Sequence, residues 1–124
     1  MSQNVLKLIM EWDLVQEKLV DFDSKAENLI SGTTKIRTEQ ECTEYVTNYE
    51  SWREELMAFL GSIFNSEQNI YYKLIKFSRS NKPHIRGMQK DYFSIFKEQK
   101  VNFNEDKKNV QFILKMLGIS DAVI

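Results

Sequence analysis

The strongest constraint on the fold is a repeat in which apolar residues recur at alternating spacings of three and four. In an α-helix this spacing places every member of the repeat on one stripe of the helix surface. Two long runs of this kind occur in the first half of the chain. The first consists of Val5, Leu8, Trp12, Val15, Leu19, Phe22, Ala26 and Leu29, and the second of Cys42, Tyr45, Tyr49, Trp52, Leu56, Phe59 and Ile63. The runs predict two long helices, each of which buries one face.

Capping signals predict where these two helices begin and end. Gly32 offers a glycine stop after the first run, and Thr38 with Glu41 three residues later matches a capping box at the start of the second. The predicted helices cover residues 4–30 and 39–64. A connection of about eight residues is typical of an antiparallel helical hairpin.

Shorter helical patterns follow the hairpin. Near Asn65 the second helix either breaks or kinks, and an apolar helical pattern resumes over residues 70–77. Pro83 suits the first turn of a fourth helix. Asn104 can cap a last helix, which Gly118 would end.

Composition agrees with a helical protein. The chain has one proline and four glycines, too few for the many tight turns of an all-β domain. A length of 124 residues is sufficient for one hydrophobic core without disulfides or metals. The sequence therefore predicts an all-α fold, a four- to five-helix bundle built on a long antiparallel helical hairpin, with residues 1–124 as a single helical domain.

Cysteine usage and hydropathy point to the cytoplasm. Cys42 is the only cysteine and cannot form an internal disulfide, which favours a reducing compartment. Glu11 and Asp13 interrupt the apolar N-terminal stretch, so no signal peptide is predicted. No stretch approaches the roughly 18 apolar residues of a membrane span. We expect a cytoplasmic protein that has no membrane partner.

The charges are sorted along the chain. Residues 1–70 carry 6 basic and 13 acidic side chains, whereas residues 71–124 carry 11 basic and 5 acidic ones. The formal net charge of −1 therefore conceals halves of opposite sign. Between Gln68 and Lys90 no acidic residue occurs, and a segment of this kind attracts anions.

The basic region, residues 71–90, is the leading candidate for function. Its predicted anion-binding residues are Lys73, Lys76, Arg79, Lys82, His84, Arg86 and Lys90. Clustered cations neutralise a polyanion and release its counterions, and nearby aromatic rings can stack on unpaired bases. The predicted partner is a nucleic acid, a nucleotide or an acidic protein surface. The alternative is a solvated helix face that the acidic half of the chain balances.

A second hypothesis comes from the segment Arg79-Ser80-Asn81-Lys82-Pro83-His84. It resembles the R-x4-6-H signature of HEPN-type ribonucleases, small all-helical proteins that cut RNA without a metal. The resemblance implies that Arg79 and His84 from two dimer-related copies would position the phosphate and move protons, which an imidazole can do near neutral pH. The family tends to have Asn, His or Asp directly after the arginine, where this chain has Ser80. Otherwise His84 merely caps or flanks a helix.

The tyrosines and carboxylates suggest further roles. Buried tyrosine hydroxyls need partners, so Tyr45 and Tyr49 are predicted to reach the bundle edge or a subunit interface. The predicted interface residues are Tyr45, Tyr49, Tyr71 and Tyr72. Glu41 and Glu44 resemble only the first half of the metal-binding signature of all-α nucleotide pyrophosphohydrolases, so we expect no metal and no cofactor.

Together these observations favour a non-enzymatic binding or assembly module whose basic region engages an anionic partner. We expect it to be a homo-oligomer or a subunit of a complex. One alternative is the HEPN-like ribonuclease. Another is a purely structural subunit that assembles when the acidic half of one copy meets the basic half of the next.

Overall fold

The computed structural model of the protein describes residues 6–78 and 92–123. Four α-helices lie in these ranges: α1 (Trp12–Ser31), α2 (Glu39–Ser62), α3 (Ile70–Lys76) and α4 (Tyr92–Val123). A short 3-10 helix, Gly32–Lys35, follows α1. The described residues contain no β-strand beyond one isolated bridge. The predicted all-α bundle is therefore confirmed.

The first helix begins at Trp12, several residues later than predicted. The residues before it are extended, and Leu8 forms an antiparallel β-bridge with Phe64. The Asn65 backbone N–H donates to the Lys7 carbonyl (2.9 Å), and the Lys7 N–H donates to Asn65 Oδ1 (2.9 Å). These bonds to the chain beyond α2 replace the helical ones, while Leu8 still packs against the core. The apolar spacing of this segment was therefore a misleading helix signal.

The predicted capping box at the start of α2 is confirmed. The Thr38 hydroxyl accepts a hydrogen bond from the Glu41 backbone N–H (3.1 Å), and Glu41 Oε1 accepts from the Thr38 backbone N–H (3.0 Å). The backbone N–H of Arg37 donates to the same carboxylate oxygen (3.0 Å). Donors from the Arg37 backbone, and then from Thr38, hold the pKa of Glu41 below its ordinary value.

We expect Thr38→Ala to lower the free energy of unfolding by about 1 kcal/mol, because it removes an N-cap hydroxyl. Since the folded-state pKa of Glu41 is depressed, its stabilisation is complete above the unfolded value of 4.5 and is lost as the pH falls through the folded value. Urea titrations from pH 7 to pH 3 would measure both effects. If the wild type exceeds Glu41→Gln in unfolding free energy by the same amount at pH 3 as at pH 7, the ionised Glu41 carboxylate does not stabilise the fold.

The predicted interruption after α2 is a true break. Asn69, which is 4% exposed, caps α3 by accepting hydrogen bonds from the backbone N–H groups of Tyr71 (3.0 Å) and Tyr72 (2.9 Å). Its side-chain amide donates to the Leu60 carbonyl near the end of α2 (2.8 Å). One buried amide therefore joins the end of α2 to the start of α3.

The last helix is continuous where two boundaries were predicted. The Asn104 amide donates to the Lys100 carbonyl one turn earlier (2.9 Å) instead of capping a new helix. Gly118 lies inside α4 and not at its end. A Cβ at Gly118 would lie 3.6 Å from Cζ2 of Trp12, an ordinary van der Waals distance, so this part of α4 lies beside the start of α1. The predicted helix start at Pro83 lies outside the described residues.

Helix α4 packs against both α1 and α2, and the described helices share one hydrophobic core. Phe103 of α4 lies at its centre, with ring centroids 4.7 Å from Tyr49 and 4.8 Å from Trp52. The Trp52 indole N–H donates to the Phe22 carbonyl of α1 (2.9 Å). Aromatic side chains from α2 and α4 therefore fill the space between the helices.

An ion-pair cluster joins α1 to α4 at the edge of the core. The Lys107 ammonium lies 3.4 Å from Asp23 and 3.2 Å from Glu27. Burial acts to lower the pKa of Lys107, but the bonds to Glu27 and Asp23 outweigh burial and leave that pKa raised.

Among the described residues, no helix has both the length and the apolar character needed to cross a bilayer.

Candidate anion-binding surface

Helix α3 carries two of the predicted anion-binding residues. Lys73 and Lys76 are three residues apart, and both are exposed. Within the described ranges, neither forms a salt bridge with a carboxylate. Their positive charge is therefore available to an external anion. Residues three apart lie on the same helix face.

Two aromatic rings flank the second of these lysines. The Lys76 ammonium nitrogen lies 5.9 Å from the ring centroid of Tyr72 and 5.5 Å from that of Phe77. Phe77 is 65% exposed, so its ring is accessible from solvent. Tyr72 is half-buried. A cation beside an accessible ring is an arrangement that can hold a phosphate and stack on a base at once.

A buried carboxylate anchors the chain at the end of α3. Asp106 of α4 is 0% exposed. The Tyr49 hydroxyl donates to Asp106 Oδ2 (2.5 Å), and the Ser78 hydroxyl donates to Asp106 Oδ1. Arg53 Nε lies 3.7 Å from Asp106 Oδ2. We call these four side chains, Tyr49, Arg53, Ser78 and Asp106, the Asp106 cluster.

Arg53 also binds the end of α3 directly. One terminal nitrogen of its guanidinium donates to the carbonyl oxygens of Ile75 (2.9 Å) and Lys76 (3.0 Å). The last carbonyls of a helix have no partner within the helix, so a cationic donor there satisfies them and interacts favourably with the helix dipole. Arg53 from α2 and Asp106 from α4 therefore hold the end of α3 in place. The lysines and rings of α3 lie on an element with defined attachments to the core.

The sequence contains a signal for the Asp106 cluster that its local context obscures. Asp106 follows Asn104, a good N-cap residue, by two positions. The local sequence therefore suggests that Asp106 is an acidic residue in the first turn of a helix. It lies instead in register with Phe103, Val110 and Ile113, all of which are 0% exposed. A carboxylate in the middle of an apolar stripe is the pattern that would have identified it. Nothing in the sequence, however, links Asp106 to Arg53 or Ser78.

Most of the predicted binding residues fall in the part of the chain that is not described. Lys73 and Lys76 lie on α3, whereas the rest of the set lies outside the described residues: Arg79, Lys82, His84, Arg86 and Lys90. The pair proposed for ribonuclease chemistry, Arg79 and His84, belongs to this group. The described part of the surface consists of Tyr72, Lys73, Lys76 and Phe77.

The prediction that Tyr45 and Tyr49 reach an edge or an interface is wrong. They are 4% and 0% exposed, because their rings fill the core beside Phe103. The Tyr45 hydroxyl has no hydrogen-bond partner in the described ranges, and burial raises the pKa of Tyr45. Tyr71 and Tyr72 are half-buried, so an interface role for these two stays a prediction.

A cleft of about 540 Å³ lies between α2 and α3, beside Tyr72. Two carboxylate residues, Glu54 and Glu67, contribute to its lining. A Cβ on Gly61, another lining residue, would lie 3.3 Å from Cγ of Glu67, so the turn between α2 and α3 approaches α2 closely here. Carboxylates repel an anion, so the lining of this cleft is not suited to a phosphate.

Within the described ranges, no group of three or more His, Cys, Asp or Glu side chains is placed to hold a metal ion. Glu41 serves in the capping box of α2. The burial of Cys42 raises the pKa of its thiol, and the neighbouring charge of Glu41 adds to that shift.

Comparison with protein-family models, with curated proteins and with solved structures gives no match to this chain. The function must therefore be inferred from the residues and their arrangement.

Proposed function

We propose that this protein is a non-enzymatic binding module whose basic region, residues 71–90, engages an anionic partner. The observation that carries the proposal is the pairing of exposed cations with accessible rings on α3. Lys76 lies within 6 Å of the ring centroids of Tyr72 and Phe77, and Lys73 is exposed nearby.

The charge of the sequence around α3 supports this proposal. From Gln68 to Lys90 the chain has no acidic residue, and the region continues beyond α3 with further lysines and arginines. A segment that has several basic residues and no acidic one attracts anions over roughly 10 Å at physiological salt. The attachments made by Arg53 and Asp106 hold the end of α3 in one geometry, which reduces the conformational entropy lost on binding.

The rings favour single-stranded nucleic acid over the other anionic partners. An acidic protein surface needs only the lysines for binding and has no use for the exposed ring. An exposed phenylalanine beside a lysine suits a chain that presents phosphates and unstacked bases together, because every base has a face on which a ring can stack. Duplex DNA keeps its bases stacked and offers only its phosphates to this surface.

The test is fluorescence anisotropy with a labelled single-stranded RNA and the full chain, at salt concentrations from 50 to 300 mM. We expect binding that weakens with salt. Replacing both Lys73 and Lys76 by alanine should reduce the slope of log affinity against log salt by about 0.7 per lysine. Phe77→Ala should weaken binding by about 1–3 kcal/mol while leaving the salt slope unchanged.

A matched control removes two exposed lysines elsewhere, Lys18 on α1 and Lys35 on the 3-10 helix. This variant has the same net charge and should bind almost as well as the wild type. Equal losses in the two double variants would mean that net charge alone drives binding.

Tighter binding to polyglutamate than to RNA would identify an acidic protein as the partner. Incubation with RNA in chelator should leave the RNA intact, and cleavage abolished by His84→Ala would contradict a non-enzymatic role.

A further inference from the structure

An apolar groove with acidic residues along it lies between α1 and α2. Its volume is about 770 Å³. Its lining residues are Met10, Leu14, Glu17, Lys18, Val20, Asp21, Ser24 and Phe59. Leu14 and Val20 are 50% and 48% exposed, which is unusual for two large aliphatic side chains on one helix. We call this surface the acidic groove.

The charge of the acidic groove is negative. Glu17 and Asp21 line the groove, as does Lys18. Asp13, one turn before Glu17 on the same side of α1, is not a lining residue, and Lys25, one turn beyond Asp21, pairs with Asp21 at 3.2 Å. All three acidic residues are exposed. Three carboxylates against two ammonium groups leave the surface net negative. An exposed pair of this kind is weak and can exchange partners at little cost.

Helix α4 has the opposite character on the side that faces away from the core. Val101, Phe112 and Met116 are 63%, 50% and 37% exposed. Lys108 and Lys115 are exposed on the same side, and Glu105 lies 3.8 Å from Lys108. We call this surface the basic stripe; its residues are Val101, Lys108, Phe112, Lys115 and Met116.

The two surfaces match in spacing. Lys108 and Lys115 are seven residues apart, about 10 Å along a helix, and Asp13 and Asp21 are eight residues apart, about 12 Å. Phe112 lies between the two lysines in sequence, as Leu14 lies between the acidic residues. A helix laid along the groove could therefore pair its cations with the carboxylates while its ring enters the apolar groove.

One chain cannot make this contact with itself. No α4 residue whose side chain the structure describes lines the acidic groove, and the inner face of α4, with Phe103, Val110 and Ile113, is already buried against α1 and α2. The basic stripe points away from both helices. We infer that the acidic groove of one copy of this chain binds the basic stripe of a second copy.

At each contact the two partners contribute different surfaces. Two copies related by a two-fold axis satisfy both surfaces at once; in any other arrangement one groove and one stripe stay unused, and assembly continues to a larger ring or a filament. The surface differs from the anion-binding surface of α3, so the two activities can be tested separately.

The test combines charge reversals on the two surfaces. Variant A carries Glu17→Lys and Asp21→Lys, and variant B carries Lys108→Glu and Lys115→Glu. Each variant alone opposes like charges across the contact. Like charges that face each other across a contact oppose binding. We therefore expect the association constant of each variant to be at least about tenfold lower than that of the wild type. An equimolar mixture of A and B restores opposite charges at every contact and should recover association.

Sedimentation velocity at 50 mM salt, over a range of chain concentrations, measures the mean mass. We expect the mean mass of the wild type to exceed one chain as concentration rises, and the assembly to dissociate above about 0.5 M salt, where the screening length is only a few ångströms. Circular dichroism verifies that the variants are folded. A control with Glu44→Lys and Glu55→Lys, exposed on α2 outside the groove, changes the net charge as variant A does and should assemble like the wild type.

Three results would overturn the inference. The first is a wild type that remains at one chain at all concentrations. The second is association that variant A or variant B retains in full. The third is a mixture of A and B that associates no better than either variant alone.

Discussion

Replacing Asp106 by alanine is expected to lower the free energy of unfolding by about 3–5 kcal/mol, the cost of breaking a buried charge pair by removing one partner. The carboxylate is 0% exposed, and the Arg53 side chain is only 12% exposed. Without Asp106 the guanidinium loses its anionic neighbour in a poorly solvated site. The Tyr49 hydroxyl loses its bond to the carboxylate as well.

Urea denaturation followed by circular dichroism measures this loss. The slope of unfolding free energy against urea concentration should be the same for the wild type and the variant, which shows that both unfold in the same two-state transition. Glu105→Ala is the matched control, because Glu105 is the neighbouring acid on α4 and is exposed. Its effect should stay within about 0.5 kcal/mol. Equal costs for the two alanine variants would mean that the Asp106 cluster contributes nothing to stability.

A second experiment connects the Asp106 cluster to the anion-binding surface. Asp106→Asn keeps the shape of the side chain but not its charge, so it should cost less stability than alanine. At a temperature where this variant is still fully folded, its affinity for RNA should fall, because the end of α3 is held less firmly. Unchanged affinity would show that the lysines of α3 need no such support.

Phe103→Ala is expected to lower the free energy of unfolding by about 3–5 kcal/mol as well, through the loss of apolar burial and the cavity that remains. The ring is 0% exposed and contacts the rings of Tyr49 and Trp52. Those large neighbours are themselves closely packed, so they can collapse into the space only in part.

The same urea titration measures this effect, and Phe103→Leu provides a graded comparison. Leucine restores most of the apolar volume and should recover more than half of the loss. Phe112→Ala removes the same ring from the exposed side of α4, where 50% of the residue is exposed, and should cost much less. A comparable cost for the two phenylalanines would contradict the placement of the core between α2 and α4.

The sequence predicted the central parts of the helices well, because a period of three and four reports directly on which face is buried. Thr38 with Glu41 also predicted the start of α2, since a capping box uses only local bonds. The start of α1 could not be predicted in this way. Leu8 fits the apolar period, but its backbone pairs with residues beyond α2, and such a partner leaves no trace in local spacing.

The errors in α4 have a similar origin. Asn104 is a good N-cap residue in isolation, yet its amide is satisfied by a carbonyl one turn earlier and the helix continues. Gly118 suggested a helix end, whereas α4 continues through it to Val123, because one glycine inside a helix costs only about 1 kcal/mol. For the binding surface, composition indicated the lysines of α3. It did not indicate the buried Asp106 cluster, because this cluster unites residues from α2, from α4 and from the end of α3.

The extended segment before α1 has a consequence for the order in which the chain folds. The bond between Lys7 and Asn65 joins residues 58 positions apart, so its formation closes a long loop and costs chain entropy before it returns any stabilisation. Contacts of such high sequence separation are associated with slow folding. The turns of α1 and α2 need only local contacts. We therefore expect the terminal segment to dock after these two helices have formed, as a closing step and not as a nucleus.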